Sequence, residues 1–262
     1  MRKLCCSALA ICALNASSLH AANLAISLGI RETGGAGPEF SNAGTTGGIE
    51  FVNLDGQSLI VDGTWQTFTF TPATDMLTAF AGTTADSSLE PGIVFAALEH
   101  IRIRNTDGIT LPIRLWIDDV TSATGGGGTV VESFENETLG SEAMFQEPSF
   151  SGSTMANVVV GSTAVVSDSM ALTGSQSVQA DFQFIDNDST RWVRLTTFPT
   201  TGHLLLNPAI RVRNDFGGAT TVSFSIKAVT IPEPSTLLMA GMGLAWLALA
   251  GRRWRSRNYC PQ

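Results

Sequence analysis

Trp65, Trp116 and Trp192 are the side chains of this 262-residue chain best suited to hold a ligand. Each lies in a short run in which apolar and polar residues alternate, the pattern of a strand with one face in a core and one in water. In Ile113–Val120, Ile113, Leu115 and Ile117 point one way, and Arg114, Trp116 and Asp118 the other. Trp65 shares a side with Thr67 and Thr69, opposite Phe68 and Phe70, and Trp192 shares one with Arg194 and Thr196, opposite Val193 and Leu195. All three indoles are thus predicted on the polar side of their strands. A flat ring on a wet sheet face stacks on the C–H face of a sugar, while neighbours such as Arg114 and Asp118 bond its hydroxyls. The competing expectation is that these rings cover loops or pack between domains.

Other chemistries have fewer footholds. Asp186-Asn187-Asp188-Ser189-Thr190 presents oxygens at alternate positions, so Asp186 and Asp188 are candidate calcium ligands, but the glycine and distal glutamate of an EF-hand are missing. Structural calcium is the one cofactor considered, against a plain solvated turn. Asp118 and Asp119 point to opposite faces and would share an ion only if the strand bulged. No Gly-x-Ser-x-Gly elbow and no His-Glu-x-x-His pair occurs. His100, at a predicted strand start, and His203, in a predicted turn, read as incidental. No catalytic residue is assigned and an enzyme is not expected, although two acids brought together by the fold would suffice for a minor glycoside hydrolase.

The elements that must position these residues are strands. Gly, Thr, Ser and Val are abundant, and alternating runs separated by turn residues recur every eight to twelve residues or so, as in a β-sandwich. The clearest are Trp65–Phe70, Ile101–Asn105, Ile113–Val120, Val178–Phe184, Trp192–Thr197, Ile210–Asn214 and Val222–Val229. Thr124-Gly-Gly-Gly-Gly-Thr129 reads as a linker. The predicted organisation is a signal peptide over 1–22, sandwich domains over 23–122 and 130–230 joined by 123–129, and a C-terminal signal over 231–258. One larger sandwich with the glycines in an internal loop is the alternative. A faint repeat supports the division: Ile101–Val120 aligns without gaps to Ile210–Val229, with seven of twenty positions identical, among them Asn105/Asn214, Gly108/Gly217 and Ile117/Ile226. Each copy reads as a strand-turn-strand hairpin.

The two ends give the address. Arg2 and Lys3, the apolar Leu4–Leu14 and the small residues Ser17, Ser18, Ala21 and Ala22 form a secretory signal for signal peptidase. At the other end Pro232-Glu233-Pro234 precedes an apolar run, Leu237–Gly251, and then Arg252, Arg253, Arg255 and Arg257. The run is short for a hydrocarbon core of ~30 Å, but flanking Trp254 and the arginines extend its reach and keep the C-terminus cytoplasmic. Between the ends lie nine basic and 22 acidic residues, a net charge of −13, which repels nucleic acid and anionic lipid headgroups and suits a soluble secreted protein or one that meets neutral polymers or divalent cations. Cys5, Cys6, Cys12 and Cys260 all fall in the processed ends, so the exported part carries no disulfide and no thiol chemistry.

The order Pro-Glu-Pro, apolar run, arginine cluster resembles the PEP-CTERM sorting signal of Gram-negative bacteria, over Val229–Arg257. The resemblance implies Pro232, Glu233 and Pro234 as recognition residues for an exosortase, a membrane-embedded cysteine enzyme, and a producer of exopolysaccharide or biofilm. Gly63-Thr-Trp-Gln-Thr-Phe68 and Leu115-Trp-Ile-Asp-Asp-Val120 resemble strands of carbohydrate-binding jelly-roll modules, although the second half has Ile226-Lys-Ala-Val229 in place of the paired Asp. The sequence therefore predicts an all-β protein of one or two sandwiches flanked by a signal helix and a transmembrane helix. It predicts an inner-membrane intermediate that moves to the cell surface or matrix and adheres there to exopolysaccharide without catalysis. A structural matrix protein with no small ligand is the rival.

Overall fold

The computed structural model describes residues 22–33, 48–82, 84–89, 95–124, 127–197 and 221–231. The two predicted terminal helices, the sorting motif, His203 and the predicted strand Ile210–Asn214 lie outside them. Among the described residues no helix is long and apolar enough to cross a membrane.

Among the described residues, eleven strands form two antiparallel sheets, consistent with a β-sandwich. The first sheet, here sheet A, runs in the order β10 (Trp192–Thr196), β5 (Phe95–Arg104), β1 (Asn23–Thr33), β2 (Ile49–Ile60), β4 (Leu77–Ala81). The second, sheet B, runs β3 (Trp65–Phe70), β11 (Thr221–Thr230), β6 (Ile113–Thr124), β9 (Ser177–Phe182), β8 (Thr163–Ser167), and β7 (Gly127–Glu132) pairs with the far end of β6. The alternation read from the sequence fixes the inner faces. Leu24, Ile26, Leu28, Ile101, Ile103, Val193 and Leu195 face inward from sheet A, against Phe68, Phe70, Leu115, Ile117, Val178, Phe224 and Ile226 from sheet B. At about 1.5–3 kcal/mol for each fully buried Val, Leu, Ile or Phe, this layer is what a cysteine-free domain has to stand on.

The predicted division at 123–129 does not separate two sandwiches. Sheet A takes β10 from beyond it, and sheet B interleaves β3 and β6 with β8, β9 and β11. β6 runs to Thr124 and β7 starts at Gly127, with Thr124 opposite Gly127 and Ser122 opposite Thr129. Gly127 and Gly128 belong to a strand pair, and strands from both sides of the division share each sheet, as the alternative of one larger sandwich expects.

The repeat needs a similar correction. Its first copy is no hairpin, because β5 lies in sheet A and β6 in sheet B. The connection over 105–112 is an arch across the core, and its shared residues make the arch. The Asn105 side chain donates to the Ile109 carbonyl at 3.1 Å and accepts from the Ile109 N–H at 2.7 Å. Gly108 sits at φ +66° against the Asn187 carbonyl, where a side chain would be strained and crowded. The second strands of the two copies, β6 and β11, pair antiparallel with the equivalent residues Ile117 and Ile226 directly opposite.

Candidate functional site

The outer face of sheet B gathers most of the predicted contacts. Across it, in register, run Trp65, Lys227, Trp116 and Gln179. The row on one side is Val229, Arg114 and Asp181. On the other side come Thr67, Ser225 and Asp118, then Thr69, Ser223 and Thr121. Thr67 Oγ1 lies 2.9 Å from Ser225 Oγ, and Thr69 Oγ1 2.9 Å from Ser223 Oγ, a ladder of hydroxyls beside the indoles.

The residues on this face differ in how free they are. Trp65 is half-buried at the edge strand. Trp116 is only 7% exposed, although it points away from the core. The loop 168–176 covers it: the indole N–H donates to Ser169 Oγ at 2.9 Å, and Lys227 Nζ lies 3.4 Å from Met170 Sδ and 6.0 Å from the centre of the Trp116 ring. Arg114 donates twice to Asp181, at 2.8 and 2.7 Å, and this bonding raises the guanidinium pKa further. Asp118 is fully buried. Its Oδ1 accepts from the Asp119 N–H, and its Oδ2 from the N–H groups of Leu172 and Thr173, at 2.8 and 3.1 Å. Burial raises its pKa against those three hydrogen bonds.

β6 does bulge at this point. Ser225 pairs with Asp118 but Ser223 with Thr121, and Asp119 takes φ +52°. The bulge brings both acids to the loop, since Thr173 Oγ1 donates to Asp119 Oδ1 at 2.8 Å. Farther along, Glu135 accepts from the N–H groups of Ser175 and Gln176. Three carboxylates therefore tie the covering loop down. The candidate calcium ligands are also engaged. Asp186 accepts from Arg191 at 3.0 and 2.7 Å, and Asp188 closes an Asx turn onto Thr190 at 2.8 Å. Among the described residues no group of three or more His, Cys, Asp or Glu side chains is placed to hold a metal.

Trp192 stands apart, on the outer face of sheet A, in a layer that the sequence reading missed. The Arg102 guanidinium lies 4.9 Å from the Trp192 ring centre and 5.4 Å from that of Phe51, and Arg194 lies 5.2 Å from Phe80. His100, predicted to be incidental, is fully buried here, edge-on to Phe51 and Phe80, and its Nδ1 bonds Glu99. A bulge makes this possible: Gly29 pairs with His100 but Ile30 with Leu98, so Glu99 is the extra residue and points to the same side as its neighbour. Gly29 is required beneath, because a Cβ there would overlap the His100 ring.

Burial alone would raise the Glu99 pKa, but His100, then Arg194 and Arg31, reverse this and hold it below the usual carboxylate value. Burial lowers the His100 pKa, against the pull of Glu99 and with the push of Arg194 and Arg102. Burial, with Arg104 adding, brings Arg102 down to about 10. The pair is thus a carboxylate accepting from the Nδ1–H of a neutral imidazole. Signals for this layer existed in the sequence, as Arg102 and Arg104 alternate with Ile101 and Ile103, and Trp192 with Val193. What dries it is not local.

Beyond the geometry, one comparison with known proteins is informative. Residues 230–257 match the PEP-CTERM protein-sorting motif. The motif implies an exported chain that passes the membrane and is processed by an exosortase. No curated protein and no solved structure matches the chain significantly, so the jelly-roll likeness rests on its two short segments.

Proposed function

We propose that this chain is exported, handed to an exosortase at Pro232-Glu233-Pro234, and then serves at the cell surface or in the matrix of a Gram-negative producer as a non-catalytic binder of neutral polysaccharide. The outer face of sheet B is the contact surface. The observation that carries this reading is the row Trp65–Lys227–Trp116–Gln179 on one sheet face beside a hydroxyl ladder. A sugar stacks on the half-buried Trp65 ring, while Lys227, Thr67 and Thr69 bond its hydroxyls and the loop over Trp116 bounds the site. A net charge of −13 between the processed ends favours an uncharged polymer. The acids on this face, Asp118 and Asp181, are each bonded into the fold, which favours recognition over hydrolysis.

The rival, a matrix component without a small ligand, draws on the internal pairing of Arg114, Trp116 and Asp118. Affinity gels loaded with neutral and acidic polysaccharides, including the exopolysaccharide of the producing strain, separate the two. Retardation of the processed protein that is lost in Trp65→Ala supports the binder. Equal mobility in every gel supports the rival.

A further inference from the structure

Both ends of the described domain emerge at the same pole. Ala22, at the boundary of the predicted signal peptide, accepts from the Val61 N–H, and Ile231, just before Pro232, donates to the Pro112 carbonyl at 2.7 Å. The arch over 105–112 ties the two sheets together here. Asp107 accepts from Asn23 at the start of β1, and Gln183 donates to the Thr110 carbonyl at the end of β9.

Among the described residues, five of the seven exposed Ile, Leu and Val side chains lie at this pole. Ile60, Leu111, Val159, Val160 and Ile185 are all exposed, Val160 to 97%. Each is placed by a contact at this end. Ile60 faces Asn23, Leu111 precedes Pro112, the Val159 N–H donates to Gln183, and the Ile185 N–H donates to Asn157. Val159, Val160, Pro112 and Ile231 border one cleft of about 160 Å³. Single exposed aliphatic side chains are ordinary, but several gathered at one end beside a cleft mark a surface suited to an apolar contact.

We propose that this pole is an apolar foot that rests on the outer interface of the bilayer while the chain is still held by its C-terminal run. The inference rests on reading Leu237–Gly251 as a membrane anchor. Five residues lie between Ile231 and Leu237, six chain steps that reach about 20 Å when fully extended. The tether therefore keeps the pole beside the membrane at an effective concentration on the order of millimolar, at which a few aliphatic side chains suffice for contact. Asp62, Asp107 and Asp188 are exposed around the same pole, so the foot suits zwitterionic lipid and is repelled by anionic lipid. The foot presents the segment after Ile231 at the membrane surface, where a membrane-embedded protease works, and cleavage removes the tether that the contact depends on.

The test uses the chain after signal removal, anchored in phosphatidylcholine vesicles, with Cys260→Ser and one introduced cysteine. A polarity-sensitive fluorophore is placed by Val160→Cys or Ile185→Cys, and as references by Leu139→Cys and Leu172→Cys, which are exposed toward the opposite end. The expected result is quenching by nitroxide-labelled lipid at least twofold greater at 160 and 185 than at 139 and 172, decreasing as anionic lipid is added. Equal quenching at all four sites would overturn the proposal. Shielding of 160 from aqueous quencher without lipid quenching would overturn it too, since a second protein molecule would then cover the foot. Flotation of the vesicles reports separately on the anchor. A chain that fails to float removes the anchor reading and the foot with it, whereas a chain that floats with equal quenching removes the foot alone.

Discussion

The outer faces of the two sheets began from the same pattern and ended as different materials. On sheet B the outward residues form a polar face of hydroxyls, one ion pair and two indoles, with a loop tied over part of it. On sheet A the outward residues Glu99, His100, Arg102 and Arg194 are buried, stacked on Phe51, Phe80 and Trp192. Alternation says which side of a strand a residue takes. It does not say whether that side is wet, because this depends on which distant segment is laid over it. The two faces therefore call for opposite expectations: changes on sheet A act on stability, and changes at Trp65 act on binding.

The largest effect is expected from Glu99→Ala. It leaves Arg194 and His100 without their carboxylate in a dry layer, and removing one partner of a buried ion pair costs about 3–5 kcal/mol. Urea unfolding measures it, and a loss below about 1 kcal/mol would mean that the layer is wet after all. Gly29→Ala comes next, because its methyl group overlaps the His100 ring. Overpacking costs about 1–3 kcal/mol, and His100→Ala in the same background should restore part of it.

On sheet B, Asp118→Ala frees the N–H groups of Leu172 and Thr173 and should cost about 1–3 kcal/mol. The diagnostic readout is a red shift of Trp116 emission as the loop over 168–176 lifts. A blue-shifted, unchanged spectrum would show that the loop holds without its acid.

The faces should also differ in their response to acid. The His100 pKa is lower in the folded chain than its ordinary value of 6.5. The unfolded chain therefore takes up a proton below about pH 6.5 that the folded chain refuses, and stability falls as pH drops from there toward the folded value. Glu99, also depressed, loses its contribution only below its unfolded value of 4.5. Asp118 has the opposite sign: its pKa is raised, so folding gains as pH falls through it. A decline in stability between pH 7 and 5 that flattens in His100→Gln assigns the first limb to the imidazole. An unchanged slope would place it elsewhere.

Strands and core faces were legible where alternation is regular, whereas β1, β2, β4, β7 and β8 match none of the runs singled out from the sequence. Trp65–Phe70 is the predicted strand residue for residue, and Leu115, Ile117, Phe224 and Ile226 point inward as read. Connectivity was not legible. Gly127-Gly128 looks the same in a linker and in a strand, and Ile101–Val120 looks the same as a hairpin and as an arch between sheets. Both differ only in long-range pairing. The bulges at Glu99 and Asp119 carry no glycine, so nothing local announces that two successive polar residues turn to one side. Trp116 was placed on the correct face but not under its loop, since the ties from Asp118 and Glu135 span some forty to fifty-five residues.

Isothermal titration of the processed protein with the retained polysaccharide, comparing Trp65→Ala with Trp192→Phe, tests the central claim most directly. The account predicts at least a tenfold loss of affinity in Trp65→Ala with an unchanged unfolding midpoint, and full affinity with a lowered midpoint in Trp192→Phe. Full affinity in Trp65→Ala would contradict it and remove the outer face of sheet B from the binding site.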